Sequence, residues 1–272
     1  MKNSFRVLVI ALFMCYPLSA QVAPRDSMAV PETTKFSFRP VQLAAPAVLF
    51  GSAMAVHFGS RDASRTVVEG SVDDRLQRYF YMDLRKGGTL PELSFDNYLQ
   101  YAPFVMDLGL GMLGARARNS LLDRTLEMAI GTVACAVMSW SSKQIFHSVR
   151  PNGNPGSFPS GHTDTVFLGA ELTRMEYGWA WGGCAYAMGV TVGVMRMYNN
   201  WHWFSDVLLG AGIGILAANI GGYLLEPVKN LFGIPTLEWD GLRTRKRVGE
   251  LALYPSVDPM SGTYCASFSL VF

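Results

Sequence analysis

Three short clusters in the second half of the chain carry residues that could do chemistry together. The first is Lys143 with Arg150-Pro151, the second Pro159-Ser160-Gly161-His162, and the third Arg196 with His202 and Asp206. Their types suit an anion held beside reactive imidazoles. Cations and helix N-terminal amides can hold anionic groups, and an imidazole oriented by a carboxylate can attack.

Each cluster also has a plainer reading. Lys143 and Arg150 are seven apart, so on one helix they would share a face about two turns apart. Pro151 and the run Asn152-Gly153-Asn154-Pro155-Gly156 would then end that helix. Two cations on an apolar helix need carboxylates or an anion beside them. Taken alone, a helix end with snorkelling side chains is the simpler account. Ser160 is placed to cap a helix beginning at Gly161, whose first amides point outward and whose missing side chain admits an anion. A structural turn with a capping serine explains that motif equally well. His202 and Asp206, four apart, would be neighbours on a helix. The carboxylate could accept from one ring nitrogen and leave the other free to attack, although an isolated pair of this kind is more simply structural. Arg196, six residues before His202, falls on another face unless Asn199-Asn200 folds it back.

Taken together the plain readings lose, because ten specified identities stand in one order near predicted helix ends. Here the chain resembles the type 2 phosphatidic acid phosphatase family, which shares its fold with vanadium haloperoxidases and secreted class A acid phosphatases. The matching segments are KQIFHSVRP (143–151), PSGH (159–162) and RMYNNWHWFSD (196–206), within a helical pattern running from about 98 to 225. The resemblance implies that His202 is the nucleophile, that Asp206 orients it, and that His162 is the acid and later the base. It implies phosphoryl binding by Lys143, Arg150, Arg196, Ser160 and the Gly161 amide, with no metal and no cofactor. His202 would start neutral and His162 charged. Met195 departs from the family, which usually has serine there, and this removes one expected hydrogen bond to phosphate.

The segments DNYLQYAP (96–103) and NNWHWFSDVLLGAGIGIL (199–216) resemble bacterial lipid A phosphatases. That likeness implies a phosphorylated membrane lipid as substrate, handled at the periplasmic face of the inner membrane, with lipid A favoured and its 4′-phosphate before its 1-phosphate. Undecaprenyl pyrophosphate and phosphatidylglycerophosphate are the alternatives within the membrane. A soluble class A acid phosphatase is the alternative outside it. A haloperoxidase would need bound vanadate, and a protein that only binds anionic lipid would need neither His162 nor the His202–Asp206 pair.

The elements that must position these residues read as helices. Half of the 272 residues are apolar and 16% are charged, against roughly 25% in soluble domains. A net charge of +2 excludes nucleic acid as the default partner, and no obligate protein partner is evident. Apolar segments run near 41–58, 98–115, 126–142, 161–175, 178–195 and 204–225. Val207–Leu225 and Gly178–Met195 are uncharged for 19 and 18 residues, close to a bilayer crossing. The stretch 59–97 carries six basic and seven acidic residues and lies outside any membrane; within it, Ser71 opens an amphipathic run. The expected fold is all-α, a membrane-associated bundle of about six helices with a short C-terminal β-hairpin.

Residues 1–20 read as a signal peptide, with Lys2 and Arg6 ahead of an apolar stretch and Leu18-Ser19-Ala20 as the exit. Residues 21–97 form an N-terminal segment, 98–225 the bundle, and 226–272 a basic linker with alternating strands that pack as a hairpin. The topology contains a conflict. With the three motifs facing the periplasm, counting back through 98–115 and 41–58 puts residue 41 in the cytoplasm, whereas a cleaved signal leaves it outside. Segment 41–58, with Pro40, Pro46 and His57, is the expected non-crossing one. The odd cysteine count after cleavage argues against a disulfide framework.

Overall fold

The computed structural model describes residues 40–115 and 117–234, and the backbone of 250–257 and 264–271. The expected signal peptide and the basic cluster at 243–247 lie outside the described residues. Two compact units are distinguished, 1–237 and 238–272. In the second, strands β1 (Glu250–Val257) and β2 (Tyr264–Val271) pair antiparallel, from Glu250 opposite Val271 to Val257 opposite Tyr264.

The first unit is all-α. Among the described residues its helices are α1 (Ala44–Gly59), α2 (Val72–Gln77), α3 (Asp96–Leu99), α4 (Ala102–Met112), α5 (Leu121–Phe146), α6 (Gly161–Tyr177), α7 (Trp179–Tyr198) and α8 (Phe204–Phe232). A π-helical turn, Arg78–Leu84, follows α2. The boundaries have local causes. Ser120 accepts from the Asp123 amide (3.1 Å) and starts α5, with Asp123 at the positive pole of the helix. Gly233, at φ +62°, ends α8 in the left-handed conformation that glycine adopts without strain.

Helix α6 is the centre of the unit. It packs chiefly against α8 and α7, with α4 and α5 on its remaining flanks. One core cluster joins it to α1, α5 and α8 through Ala53, Cys135, Leu168, Leu172, Leu209 and Ile213. A second joins it to α3, α7 and α8 through Leu99, Val166, Phe167, Met188, Val192 and Ile215. Cys135 is buried and free.

Three expectations need correction. The helix carrying Lys143 ends at Phe146, because His147 takes a left-handed conformation (φ +47°) four residues before Pro151. Segment 98–115 is divided between α3 and α4, with a break at Gln100-Tyr101 ahead of Pro103. The two helices long and apolar enough to cross a membrane, among the described residues, are Pro40–Gly59 and Phe204–Phe232. Helix α7 is not one of them, since Arg196 and the aromatics Trp179, Trp181, Tyr186 and Tyr198 interrupt its apolar character. Conversely, segment 41–58 is apolar, and its best window is only 17% buried, against 67% for α8. Its C-terminal end lies at the candidate site, where Arg61 donates to the Ser148 hydroxyl at 3.5 Å.

Candidate active site

Three helix ends converge at one end of the bundle: the end of α5, the start of α6, and the junction of α7 with α8. After α5 the chain makes a tight loop closed by a Val149–Pro155 bridge. The Arg150 amide donates to the Asn154 carbonyl (2.8 Å) and the Gly153 amide to the Arg150 carbonyl (2.9 Å). Arg150 therefore sits at the base of a loop, rather than on a helix face with Lys143. Lys143 folds under the same loop, its Nζ donating to the Gly156 carbonyl at 3.2 Å.

Ser160 precedes α6 without capping it through its side chain. Its hydroxyl accepts from Thr163 Oγ1 (2.9 Å), and its amide donates to the Asp206 carbonyl (3.1 Å). The first amides of α6, at Gly161 and His162, thus keep the outward orientation that suits an anion. The Ser160–Asp206 link pins that helix end to the first turn of α8.

At the α7–α8 junction the expected turn forms. Asn199 ends α7, Asn200 adopts φ +63°, and the Trp201 amide donates to the Arg196 carbonyl (3.0 Å). His202 and Asp206 do not share a helix face, because Trp203 is the N-cap of α8 and His202 stands before it. They meet across the cap, with Nδ1 of His202 3.3 Å from Oδ2 of Asp206. The same oxygen accepts from the Trp203 amide (2.9 Å) and from the Ser157 hydroxyl. Three donors on one fully buried carboxylate oxygen fix its position. With Nδ1 engaged, Nε2 of His202 is the nitrogen left to react.

Several residues that the spacing rules did not single out complete the site. Trp201 lies between two of the cations, its ring 5.6 Å from the Arg150 guanidinium carbon and 5.4 Å from that of Arg196. Asp96 pairs with Arg196 NH1 at 2.7 Å, both side chains being buried. Asn97 Oδ1 meets His162 Nε2 at 2.9 Å. Glu92 accepts from Trp201 Nε1 at 2.8 Å. Asp96 and Asn97 open the DNYLQYAP segment, so a polar pair at the head of an apolar run was the available signal.

The electrostatics favour an anion. Burial, then the charge of Arg196, lowers the Arg150 pKa; burial, then Arg150, lowers that of Lys143. Cations that weaken one another in this way are stabilised by a shared anionic ligand. Burial lowers the pKa of His202 in spite of Asp206, which favours a neutral, nucleophilic ring. His162 is lowered to about 4, by burial first and then by Arg196. The expected contrast between a neutral His202 and a charged His162 is therefore absent in the free protein, and a bound phosphoryl group would have to create it. The structure thus gathers Lys143, Arg150, Ser160, Gly161, His162, Arg196, His202 and Asp206 at one end of the bundle.

Residues 139–226, which hold all three clusters, match the PAP2 superfamily. The chain is similar to that superfamily over this segment. It is 29% identical over 261 residues to the lipid A 1-phosphatase of Porphyromonas gingivalis. The match covers 92% of this chain and 56% of the relative, so the chain spans about half the length of the curated relative. Among solved structures it is similar to Aquifex aeolicus LpxE, at 20% identity and TM-score 0.43, over 56% of this chain and 96% of the other. It is also similar to the transmembrane PAP2 type phosphatidylglycerolphosphate phosphatase from Bacillus subtilis, at 18% identity and TM-score 0.43, over 71% and 99%.

Proposed function

We propose that this chain is a membrane lipid phosphatase of the PAP2 superfamily that hydrolyses a phosphate monoester on a lipid head group. The observation that carries the reading is the His202–Asp206 contact set beside His162 and three cations at one end of an all-α bundle. Nε2 of His202 forms a bond to phosphorus as the bond from phosphorus to the lipid oxygen breaks. His162, charged once the phosphoryl group is beside it, gives its proton to the departing oxygen. Water then attacks the phosphohistidine and releases phosphate, its proton returning to His162 and the bond to His202 breaking. Lys143, Arg150, Arg196 and the first amides of α6 hold the phosphoryl oxygens throughout. Phosphoryl transfer is mainly positioning and charge stabilisation, and three fixed cations can supply the latter without a divalent ion. Losing one of them should cost on the order of 3 kcal/mol in the barrier.

Lipid A is the substrate we propose. Between its two phosphates, the lipid A 1-phosphatase relative supports the 1-phosphate, against the 4′-phosphate expected from the sequence. The exposed α1 and the apolar α8 support a membrane protein, and the periplasmic face is where we propose its site lies. Phosphate release should be measured for the detergent-purified chain in EDTA. Lipid A labelled at either position, undecaprenyl pyrophosphate and a soluble monoester should be offered in parallel. We expect release from lipid A and none from a folded His202→Ala variant. Full activity in that variant would sink the mechanism, and strict metal dependence would count against this site. Preference for the isoprenoid or the soluble ester would replace the substrate while leaving the site intact.

A further inference from the structure

We propose that Asn97 is a positioning residue for His162: its carbonyl accepts the Nε2 proton, which fixes the tautomer and ring plane and leaves Nδ1 to exchange protons with the leaving oxygen and then with water. The proposal rests on the phosphatase reading above. An amide oxygen can only accept, so the 2.9 Å contact puts the proton of a neutral His162 on Nε2. The nitrogen that carries the proton in an imidazole is set by the partner of its other nitrogen. Among the described residues, Asn97 is the one hydrogen-bond partner of the His162 ring.

Asn97 is itself held, which is what a positioning role requires. Its neighbour Asp96 is ion-paired with Arg196 at 2.7 Å, deep in the protein. Leu93 exchanges two hydrogen bonds with the Asn199 side chain, its amide to Oδ1 (3.0 Å) and its carbonyl from Nδ2 (2.9 Å). Glu92 holds Trp201. Segment 92–97 is thus fastened to the α7–α8 junction, the element that presents His202. One strap thereby registers the acid at the start of α6 against the nucleophile at the start of α8. No motif spacing encodes this, because Asn97 and His162 are 65 residues apart.

The test compares Asn97→Ala and Asn97→Asp with the wild type on whichever lipid phosphate the protein hydrolyses, with His162→Ala as reference. The charged groups that face His162 are Arg196 from α7, Asp96 from α3, and Arg150 and His202 from the loops; all stay in place in these variants. In Asn97→Ala we expect kcat to fall roughly 10- to 100-fold with little change in KM, less than the loss of the whole imidazole. In the His162→Ala background the same change should cost nothing further. Asn97→Asp keeps the shape but puts a carboxylate on Nε2, so the alkaline limb of the pH–rate profile should move up by about one unit. It also carries the test should the alanine variant fail to fold. Nitrogen NMR of the histidine rings supplies a readout without turnover, with His162 expected as the Nε2-protonated tautomer and scrambled in Asn97→Ala.

A wild-type kcat in folded Asn97→Ala, an unmoved profile in Asn97→Asp, or an Nδ1-protonated His162 would each overturn the proposal. Wild-type turnover in His162→Ala would instead overturn the phosphatase mechanism beneath it.

Discussion

His162, the acid we propose, shows how little of a residue's behaviour lies in its own identity. Its pKa of about 4 follows from burial and from Arg196, so at neutral pH the free protein presents an uncharged ring. A phosphoryl dianion beside it stabilises the imidazolium and raises that pKa. Between the free and bound values, binding must then take up a proton, and affinity must fall as pH rises through that window, by up to tenfold per unit. Calorimetry of inorganic phosphate binding near pH 7.5, in two buffers of different ionisation enthalpy, should show net proton uptake that is lost in His162→Gln. Equal apparent enthalpies in the two buffers for the wild type would contradict the assignment. The residues at the heart of the site were legible because their identities and order were. Asp96, Asn97, Ser157 and Trp201 were not, since each acts on a partner through folded geometry. Asp96 meets Arg196 across 100 residues, and Ser157 meets Asp206 across 49; no periodicity records such pairs.

At the scale of elements, the site depends on how closely α6 and α8 approach. A Cβ added to Gly210 would lie 2.7 Å from the Ser160 carbonyl oxygen, and one on Gly214 would lie 2.4 Å from the Asp164 carbonyl oxygen. Both neighbours are backbone of α6 and its entry, so neither can step aside without moving the helix that carries His162. Gly214→Ala should therefore destabilise the protein by about 1–3 kcal/mol through overpacking. Gly210→Ala should lower activity as well, because it separates Ser160 from Asp206. Gly183, on the exposed face of α7, meets nothing within 4 Å. There the helical gain of alanine over glycine, about 0.4–1 kcal/mol, should appear as a raised melting temperature in detergent. Equal melting temperatures for the Gly183 and Gly214 variants would refute the close-approach argument. The helices themselves were legible from apolar segments. Their ends were less so: Pro151 suggested where the Lys143 helix stops, but the left-handed His147 stops it sooner, and a left-handed histidine has no sequence signature comparable to glycine.

The described helices of the first unit alternate in direction, and this makes the sidedness of the loops between them a single linked question. Helix α1 ends near the site, where the His57 ring lies 4.1 Å from that of Phe158. Residues Asp96 and Asn97, ahead of α4, are also at the site, whereas Asp107 in α4 meets Arg124 near the start of α5. Arg118 there pairs with Glu176 at the end of α6, and Lys229 near the end of α8 pairs with Asp123. So α1, α5 and α7 run toward the site, and α4, α6 and α8 run away from it. If the site is periplasmic and α1 crosses, the start of α1 is cytoplasmic, in conflict with signal cleavage; an α1 lying along the surface would remove the conflict. Single cysteines at Ala63 and Asn152, beside the site, should react together with a membrane-impermeant maleimide in intact cells. Cysteines at Val41 and Leu113 should react only after the membrane is opened. If Val41 reacted alongside Asn152, α1 would lie along the surface instead of crossing, and its exposed apolar face would need another covering. If all four reacted in intact cells, the bundle would stand outside the bilayer, and α8 would be an apolar core helix of a soluble phosphatase.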